Sequence, residues 1–405
     1  MSQSDKKDNV VIVGAGVSGL VCAIELEKRG FTPLIIDALP KVGGRLQTIL
    51  MEDIPLDKGF QVLLSEYPAV KKYLDLEALN LRSFRPGAIV FKGDKQYPMG
   101  DPLRDSAFLW DTIRFPFGSI KDKFKVWQLN KQLRGKSIED IFDSASTSTM
   151  SYLKEKGFSD QMIAAFFKPF FGGIFLEGDL LTSSRMFEFV FKMFAEGKAT
   201  LPKRGIQEVA FQLKSKLKKS RFMMNTKVLS YANGMLQLDN GNSLAYDKLF
   251  LASSKHSMKD GQSTQAWQSC INVYFECADL AFDQDIIALS ANSGLVNNFS
   301  MIKGSGNGHI MSLTLLESFE GSDDELIDAL KAEFTTVYGI ELGDCLQINR
   351  IAQALPVIDE LRSEVDLSAQ QMGEGVYTCG DYMANASLNA AMLSGANAVK
   401  LACGA

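Results

Sequence analysis

The chain has 405 residues, 46% hydrophobic and 22% charged, with 43 basic side chains against 48 acidic ones and a net charge of -5. That length and balance suit two cored domains rather than a disordered or fibrous chain, and the negative charge argues against a nucleic-acid partner. Six scattered cysteines (Cys22, Cys270, Cys277, Cys345, Cys379 and Cys403) with no CxxC pair, and two distant histidines, His256 and His309, argue against a disulfide framework and any metal site.

The segment before Val10 is polar and mixed in charge, without the apolar core of a secretory signal. No apolar run reaches the roughly 18 residues that a spanning helix needs. A cytoplasmic protein is expected, at most peripheral to a membrane. Val10 to Val13 is a β-branched run suited to a strand buried on both faces. Gly14-Ala15-Gly16-Val17-Ser18-Gly19 follows, and a helical pattern then runs through Leu20, Ile24 and Glu27 to stop at Gly30. Pro33 to Ile36 is a second buried strand, closed by Asp37-Ala38. Together these make one βαβ unit with a dinucleotide fingerprint. Gly14 allows the tight turn, Gly16 lets backbone approach a pyrophosphate, and Gly19 lets the helix pack on the sheet. The helix start offers N–H groups to phosphates. Asp37 is placed to accept ribose hydroxyls, which argues against NADP but does not separate NAD from FAD. Gly43-Gly44-Arg45-Leu46 does: a second glycine pair with a guanidinium can hold the far end of a longer cofactor.

From Leu76 to Leu201 phenylalanine becomes dense. Gly87 to Phe91 is a short strand candidate. Arg104 to Gly135 and Met150 to Ala199 read as mostly helical, the second interrupted at Pro169 and Gly172-Gly173. Phe124 and Trp127 stand among Lys121, Lys123, Lys125 and Lys131. A solvated helix with a packed apolar face is the preferred reading, and a membrane-surface helix the alternative. Taken singly, Phe166, Phe167, Phe170, Phe171, Phe175, Phe187, Phe189, Phe191 and Phe194 read as core; together they suggest an apolar cavity. Leu201 to Gly205 is a loop and Ile206 to Leu217 an amphipathic helix. Lys227 to Tyr231, Met235 to Asp239 and Leu249 to Ala252 read as strands, with turns at Asn233-Gly234 and Asn240-Gly241. Ser269 to Glu276 and His309 to Leu315 suit a second sheet, and Asp323 to Tyr338 a helix. Gly375 to Cys379 is a strand, Gly380-Asp381 a turn, and Ser387 to Cys403 a helix.

Val11 to Thr48, VIVGAGVSGLVCAIELEKRGFTPLIIDALPKVGGRLQT, resembles the amine oxidase, phytoene desaturase and protoporphyrinogen oxidase superfamily of flavoproteins. Asp57-Lys58-Gly59-Phe60-Gln61 resembles the family segment that turns toward the flavin ring. Thr226-Lys227-Val228 is similar to the strand whose valine backbone touches adenine, and Leu249 to Ala252 to the strand that returns beside the cofactor. Gly375 to Gly395 is similar to the closing motif. The resemblance implies that Gly380 and Asp381 bind near the ribityl and phosphate. It also implies that Ser387-Leu388-Asn389 opens a helix whose N–H groups face the flavin pyrimidine edge. The likeness covers nearly the whole chain, strong at both ends and loose in the middle. It implies an α/β fold: a Rossmann-like FAD-binding domain of the glutathione-reductase type (residues 1–75, 202–261 and 351–405). An α+β substrate domain (76–201 and 262–350) is interleaved with it, and non-covalent FAD lies at their junction.

No second GxGxxG follows, so electrons are expected from an organic substrate, with oxygen, a quinone or another carrier as acceptor. The leading reading is dehydrogenation of an apolar or conjugated small molecule by hydride transfer to flavin N5. The second is amine oxidation, with Tyr382 as one wall of an aromatic slot. Cys379-Gly380-Asp381-Tyr382 departs from the AGTET-like pattern of amine oxidases, which favours the first. The third is a flavin-bearing scaffold or sensor. No catalytic acid or base is assigned. His256 is a candidate acid–base and Cys379 a candidate attachment point, though blander roles suit both better. Lys58, Lys168 and Arg204 are candidate anchors for a substrate carboxylate, without a spacing reason.

Overall fold

Val10–Val13 is buried at every position and forms the middle of a six-stranded sheet. The structure, a computed structural model, describes residues 8–253, 265–283, 285–304 and 308–404. The strand order is Arg221–Met223, Leu34–Ile36, Val10–Val13, Lys248–Leu251, Val376–Thr378 and Gln371–Gly373. The first five run parallel and the last antiparallel. Side chains alternate between the faces, as the two-residue strand period requires. Val10, Ile12, Ile35, Phe250 and Tyr377 join the core of the helices Val17–Lys28 and Leu388–Cys403. Val11, Val13, Leu34, Ile36, Leu249 and Leu251 pack instead on a three-stranded meander, Val228–Ala232, Met235–Leu238 and Ser243–Ala245.

The second sheet has seven strands. In order they are Cys345–Pro356, Trp267–Cys277, His309–Leu315, Asn298–Lys303, Ile287–Ser290, Gly87–Lys92 and Lys95–Gly100. All neighbours are antiparallel except Ile287–Ser290 with Gly87–Lys92. One face, with Val273, Phe275, Phe299 and Leu313, packs against the helix Asp323–Glu333 and its continuation Phe334–Tyr338. The other carries buried polar groups: Asn272 donates to Ser312 Oγ and to the Leu313 carbonyl, both at 3.0 Å.

Two expectations need refining. The helix expected to break at Pro169 does not: Asp160–Met162, Ile163–Phe167 and Lys168–Phe175 follow without a gap, and Gly172 and Gly173 lie inside the last. The middle stretch is π-helical, and Pro169 stands in the first turn after the change of register, where its missing N–H is tolerated. The helix from Asp323 likewise turns π-helical at Phe334. Around the boundaries drawn above, Cys345–Pro356 runs through residue 351 as one strand of the seven-stranded sheet. Ala199–Pro202 bridges Leu63–Leu64 and Leu81–Ser83.

Candidate functional site

Where Val10–Val13 ends, Gly14 takes φ +111, and a Cβ there would lie 2.6 Å from the Ala252 carbonyl oxygen. A Cβ on Gly19 would come within 2.0 Å of the Gly14 oxygen, so the helix presses directly on the strand end. Gly16 is different: only the Gly44 Cα, at 3.9 Å, lies near its missing Cβ. It is also the helix N-cap and supplies no side-chain cap, so the first-turn N–H groups have no partner within the helix. The second glycine turn abuts this opening. The Gly43 N–H donates to the Ala15 carbonyl at 3.0 Å, and Gly44 takes φ +60. Two turns far apart in type thus form one cradle with exposed backbone.

Asp37 closes the cradle from the next strand. Its Oδ2 accepts from the Ala15 N–H at 2.6 Å and its Oδ1 from the Leu39 N–H at 2.7 Å. Arg45 reaches across the site to Asp381, 2.5 Å from Oδ1, and lies 5.4 Å over the Trp267 ring. Gln61 Nε2 donates to the Arg45 carbonyl at 3.0 Å, pinning the Gly59-Phe60-Gln61 segment beside the guanidinium. On the closing helix Ser387 Oγ accepts from the Ala390 N–H at 3.0 Å, a side-chain N-cap.

These pieces share one cavity of ≈ 1370 Å³. Its walls include Gly14, Gly16, Val17, Ser18, Asp37, Gly43, Gly44, Arg45, Leu46, Gly59, Phe60, Gln61, Ala252, Gly380, Asp381, Ser387 and Leu388. Ala15, Gly19, Ala38, Val228 and Asn389 are not among them. Ala15 and Gly19 lie under the turn, Ala38 is exposed beyond Asp37, and Val228 is buried in the meander. Asn389 turns away, its Oδ1 accepting from the Ala69 N–H at 2.9 Å. The phenylalanines divide. Phe166, Phe170, Phe171, Phe175, Phe191 and Phe194 line the cavity, whereas Phe167, Phe187 and Phe189 are fully buried behind it.

Lys58 and Tyr382 also line the cavity. Lys168 and Arg204 do not, and they stand 3.5 Å from Asp179 and 3.7 Å from Glu208. Cys379 is fully buried behind the wall, and burial pushes its thiol up to about 12, far from a reactive thiolate. His256 lies outside the described residues. Among the described residues no group of three or more His, Cys, Asp or Glu could hold a metal ion, and no helix is long and apolar enough to cross a membrane.

Two features gave no sequence signal, and a third, the burial of Asp57, is added by the fold to a segment already singled out. Ser253 and Thr314 line the cavity with buried hydroxyls that have no hydrogen-bond partner. Residues 350–358, the latter part of the strand Cys345–Pro356 and the two residues after it, contribute a continuous run to the wall. Asp57, buried beside Lys58, has its carboxyl pushed up to about 6 by burial. The Thr48 hydroxyl at 2.6 Å and the Ile206 N–H at 2.9 Å pull the other way.

A model of the flavin-containing amine oxidoreductase family matches residues 17–403. Protoporphyrinogen oxidase 2 of Arabidopsis thaliana is 27% identical over 164 residues, covering 40% of this chain and 32% of that protein. Coproporphyrinogen III oxidase of Bacillus subtilis is 25% identical over 291 residues, covering 61% of this chain and 60% of that protein. The aligned part of the chain thus spans a third to three-fifths of these curated relatives. Among solved structures, an oxidoreductase from Methanosarcina mazei superposes with a TM-score of 0.71 at 16% identity, over 96% of this chain and 98% of that one. The shared fold is that of the flavin oxidoreductases.

Proposed function

The chain belongs to the flavin-containing amine oxidoreductases, a family that implies a flavin, and on that premise we propose that it is an FAD-dependent dehydrogenase of an apolar or conjugated small molecule. One observation carries the reading: a single cavity runs from the paired glycine turns to a wall of six phenylalanines. Its ≈ 1370 Å³ exceeds the roughly 300–1,000 Å³ of an ordinary ligand pocket, leaving room for a cofactor and a substrate together.

The residues present fit FAD. Gly16 leaves open space that a side chain would fill, Gly14 and Gly43 make the tight turns on either side of it, the Gly16 N-cap leaves N–H groups for a pyrophosphate, and Ser253 holds an unsatisfied hydroxyl at the wall. Asp37 would hold the ribose, and Arg45 with Asp381 the far phosphate and ribityl. Val228, outside the cavity wall, would act at adenine only through neighbouring backbone. Attachment is proposed to be non-covalent, because the nearby thiol, Cys379, is buried behind the wall.

A flavin held there would supply the redox chemistry, as the acceptor of a hydride from a substrate carbon. The chain's own residues orient and insulate. Phe166, Phe170, Phe171 and Phe191 hold an apolar body and exclude water from the reacting face. The N-terminus of Leu388–Cys403 directs its positive dipole end at the cavity, where it favours negative charge. Arg45 holds the Asp381 carboxylate in place, 2.5 Å from Oδ1. Oxygen, a quinone or another carrier would take the electrons onward.

A second reading, amine oxidation, is favoured by Tyr382 at the cavity wall, with its hydroxyl 2.9 Å from Thr378 Oγ1. One experiment separates the readings. Acid-precipitated protein should release a yellow supernatant with the mass of FAD. The holoprotein is then titrated anaerobically with conjugated apolar compounds and, separately, with primary amines. Bleaching by the former supports dehydrogenation, and bleaching by amines alone assigns amine oxidation. Bleaching by neither assigns a flavin-bearing scaffold or sensor.

A further inference from the structure

An exposed apolar surface lies beside the cavity. Leu103, Trp110, Ile113, Ile120, Phe124 and Trp127 are all exposed, Leu103 and Ile120 by 79% and 80%. Their placement follows from helix geometry. Ile120, Phe124, Trp127 and Lys131 recur at i, i+4, i+7 and i+11 on one face of Ile120–Arg134, while Leu129 and Leu133 are buried. Phe124 and Trp127 stack at 5.5 Å. Lys123 Nζ donates to the Ile113 and Phe115 carbonyls at 2.8 and 2.9 Å, tying this helix to the end of Phe108–Arg114. Two apolar faces are therefore held together, and neither has protein over it.

The charge of this face opposes that of the whole chain. Ile120–Arg134 carries Lys121, Lys123, Lys125, Lys131 and Arg134 against Asp122 alone, in a chain of net charge -5. Asp122 is buried and spent on Ser119 and Ser159. Among the described residues none of the five cations is paired with a carboxylate. Arg134 bonds the Ala195 carbonyl at 2.6 Å, and Arg104, from the preceding loop, the Phe194 carbonyl at 2.5 Å. Leu103, Arg104, Trp127 and Lys131 are at once exposed and part of the cavity wall, so the cavity reaches the surface at this face.

We propose that this face docks on an anionic phospholipid surface and that the apolar substrate enters the cavity from that lipid. Exposed tryptophan, isoleucine and phenylalanine set among lysines that no carboxylate neutralises suit an interface of acyl chains beneath negative headgroups. A second copy suits it less, since a two-fold contact would set the same cations against one another. The preferred sequence reading, an apolar face packed inward, is corrected here: Phe124 and Trp127 face solvent at 54% and 47% exposure. Delivery of substrate rests on the function proposed above; docking does not.

The test is sedimentation of the FAD-loaded protein with phosphatidylcholine vesicles, with and without phosphatidylglycerol. Wild type should pellet with the anionic vesicles alone, with a blue shift of tryptophan emission. Trp110→Ser with Phe124→Ser should weaken binding at least about tenfold. Lys121→Gln should weaken it about fivefold at low salt and much less at high salt. None of these three side chains lines the cavity, and retained FAD checks their fold. Wild type left in both supernatants, or variants that bind as tightly, would overturn the proposal. So would a wild-type dimer that the double variant dissolves. If vesicles bind but no apolar compound bleaches the flavin, docking stands and the proposed reaction fails.

Discussion

Replacing Asp37 by alanine tests how one carboxylate serves both the turn and the cofactor. Its two oxygens accept from Ala15 at 2.6 Å and Leu39 at 2.7 Å. The consequences differ, because Ala15 is fully buried whereas Leu39 is 40% exposed and its N–H can turn to water. A buried donor left unpaired costs about 1–3 kcal/mol, so the apoprotein should lose about 2 kcal/mol, concentrated in the glycine turn. Two of the carboxylate's roughly four acceptor directions remain for ribose hydroxyls. Losing such charge-assisted bonds costs about 1.5–3 kcal/mol, a fall in FAD affinity of roughly ten- to 150-fold. Asp37→Asn keeps one acceptor oxygen and should fall between. Hydrogen exchange at the Ala15 amide reads the first effect, and calorimetry of FAD binding to apoprotein reads the second. Unchanged exchange would refute the turn bond. A loosened turn with unchanged FAD affinity would refute the ribose role.

Asp57 predicts an unusual pH dependence. Its folded pKa of about 6 lies above the ordinary 3.8, so the folded state holds the proton more tightly and stability falls as pH rises between those values. At neutral pH the buried charge costs roughly 3 kcal/mol at 1.36 kcal/mol per pKa unit. Asp57→Asn, still able to accept from Thr48 and Ile206, should therefore melt higher than wild type at pH 7.5 and equally near pH 4; an equal gain at both pH values would refute this. NADH and NADPH should reduce the flavin slowly, because the one dinucleotide fingerprint is the site proposed for FAD and the cavity walls near the phenylalanines offer a pyrophosphate no glycine turn. Loss of the band near 450 nm (roughly, for flavins generally) within seconds of anaerobic mixing would make the protein a reductase. Phe167→Ala, behind the wall, should cost about 3–5 kcal/mol in urea unfolding. Phe166→Ala, at the wall, should cost less and instead weaken binding of the apolar ligand.

The βαβ opening was readable because its signals are local: a β-branched run, glycines at fixed offsets and an acid a strand later. The second sheet was readable only as isolated strands. Its pairings join Gly87–Lys92 to Ile287–Ser290 and Trp267–Cys277 to Cys345–Pro356, and no periodicity encodes such partners. The same limit applies to the site. Gly43-Gly44-Arg45 stood out as a motif, but that Arg45 meets Asp381 across 336 positions depends on folding. Ser253, just past the strand Lys248–Leu251, and Thr314, within His309–Leu315, carry no signal, since a serine or threonine is ordinary until its hydroxyl is buried without a partner. Pro169 misled because proline breaks a regular α-helix, and the π-helical register before it is not visible in composition.

The order of synthesis meets an obstacle in the six-stranded sheet. Val10–Val13 is made first, yet Lys248–Leu251 and Val376–Thr378 must join before its side of the sheet is covered. The helix Leu388–Cys403 seats last, with Gly395 so close to Ser18 that a Cβ would lie 2.2 Å from the Ser18 oxygen. At about 5–20 residues per second, the opening strand waits on the order of tens of seconds for its last partners. A product released before Val376 would bare Leu249, Phe250 and Leu251 along an unpaired edge, the kind of edge that recruits other chains. Premature termination should therefore yield aggregate or a chaperone-bound species rather than a folded fragment.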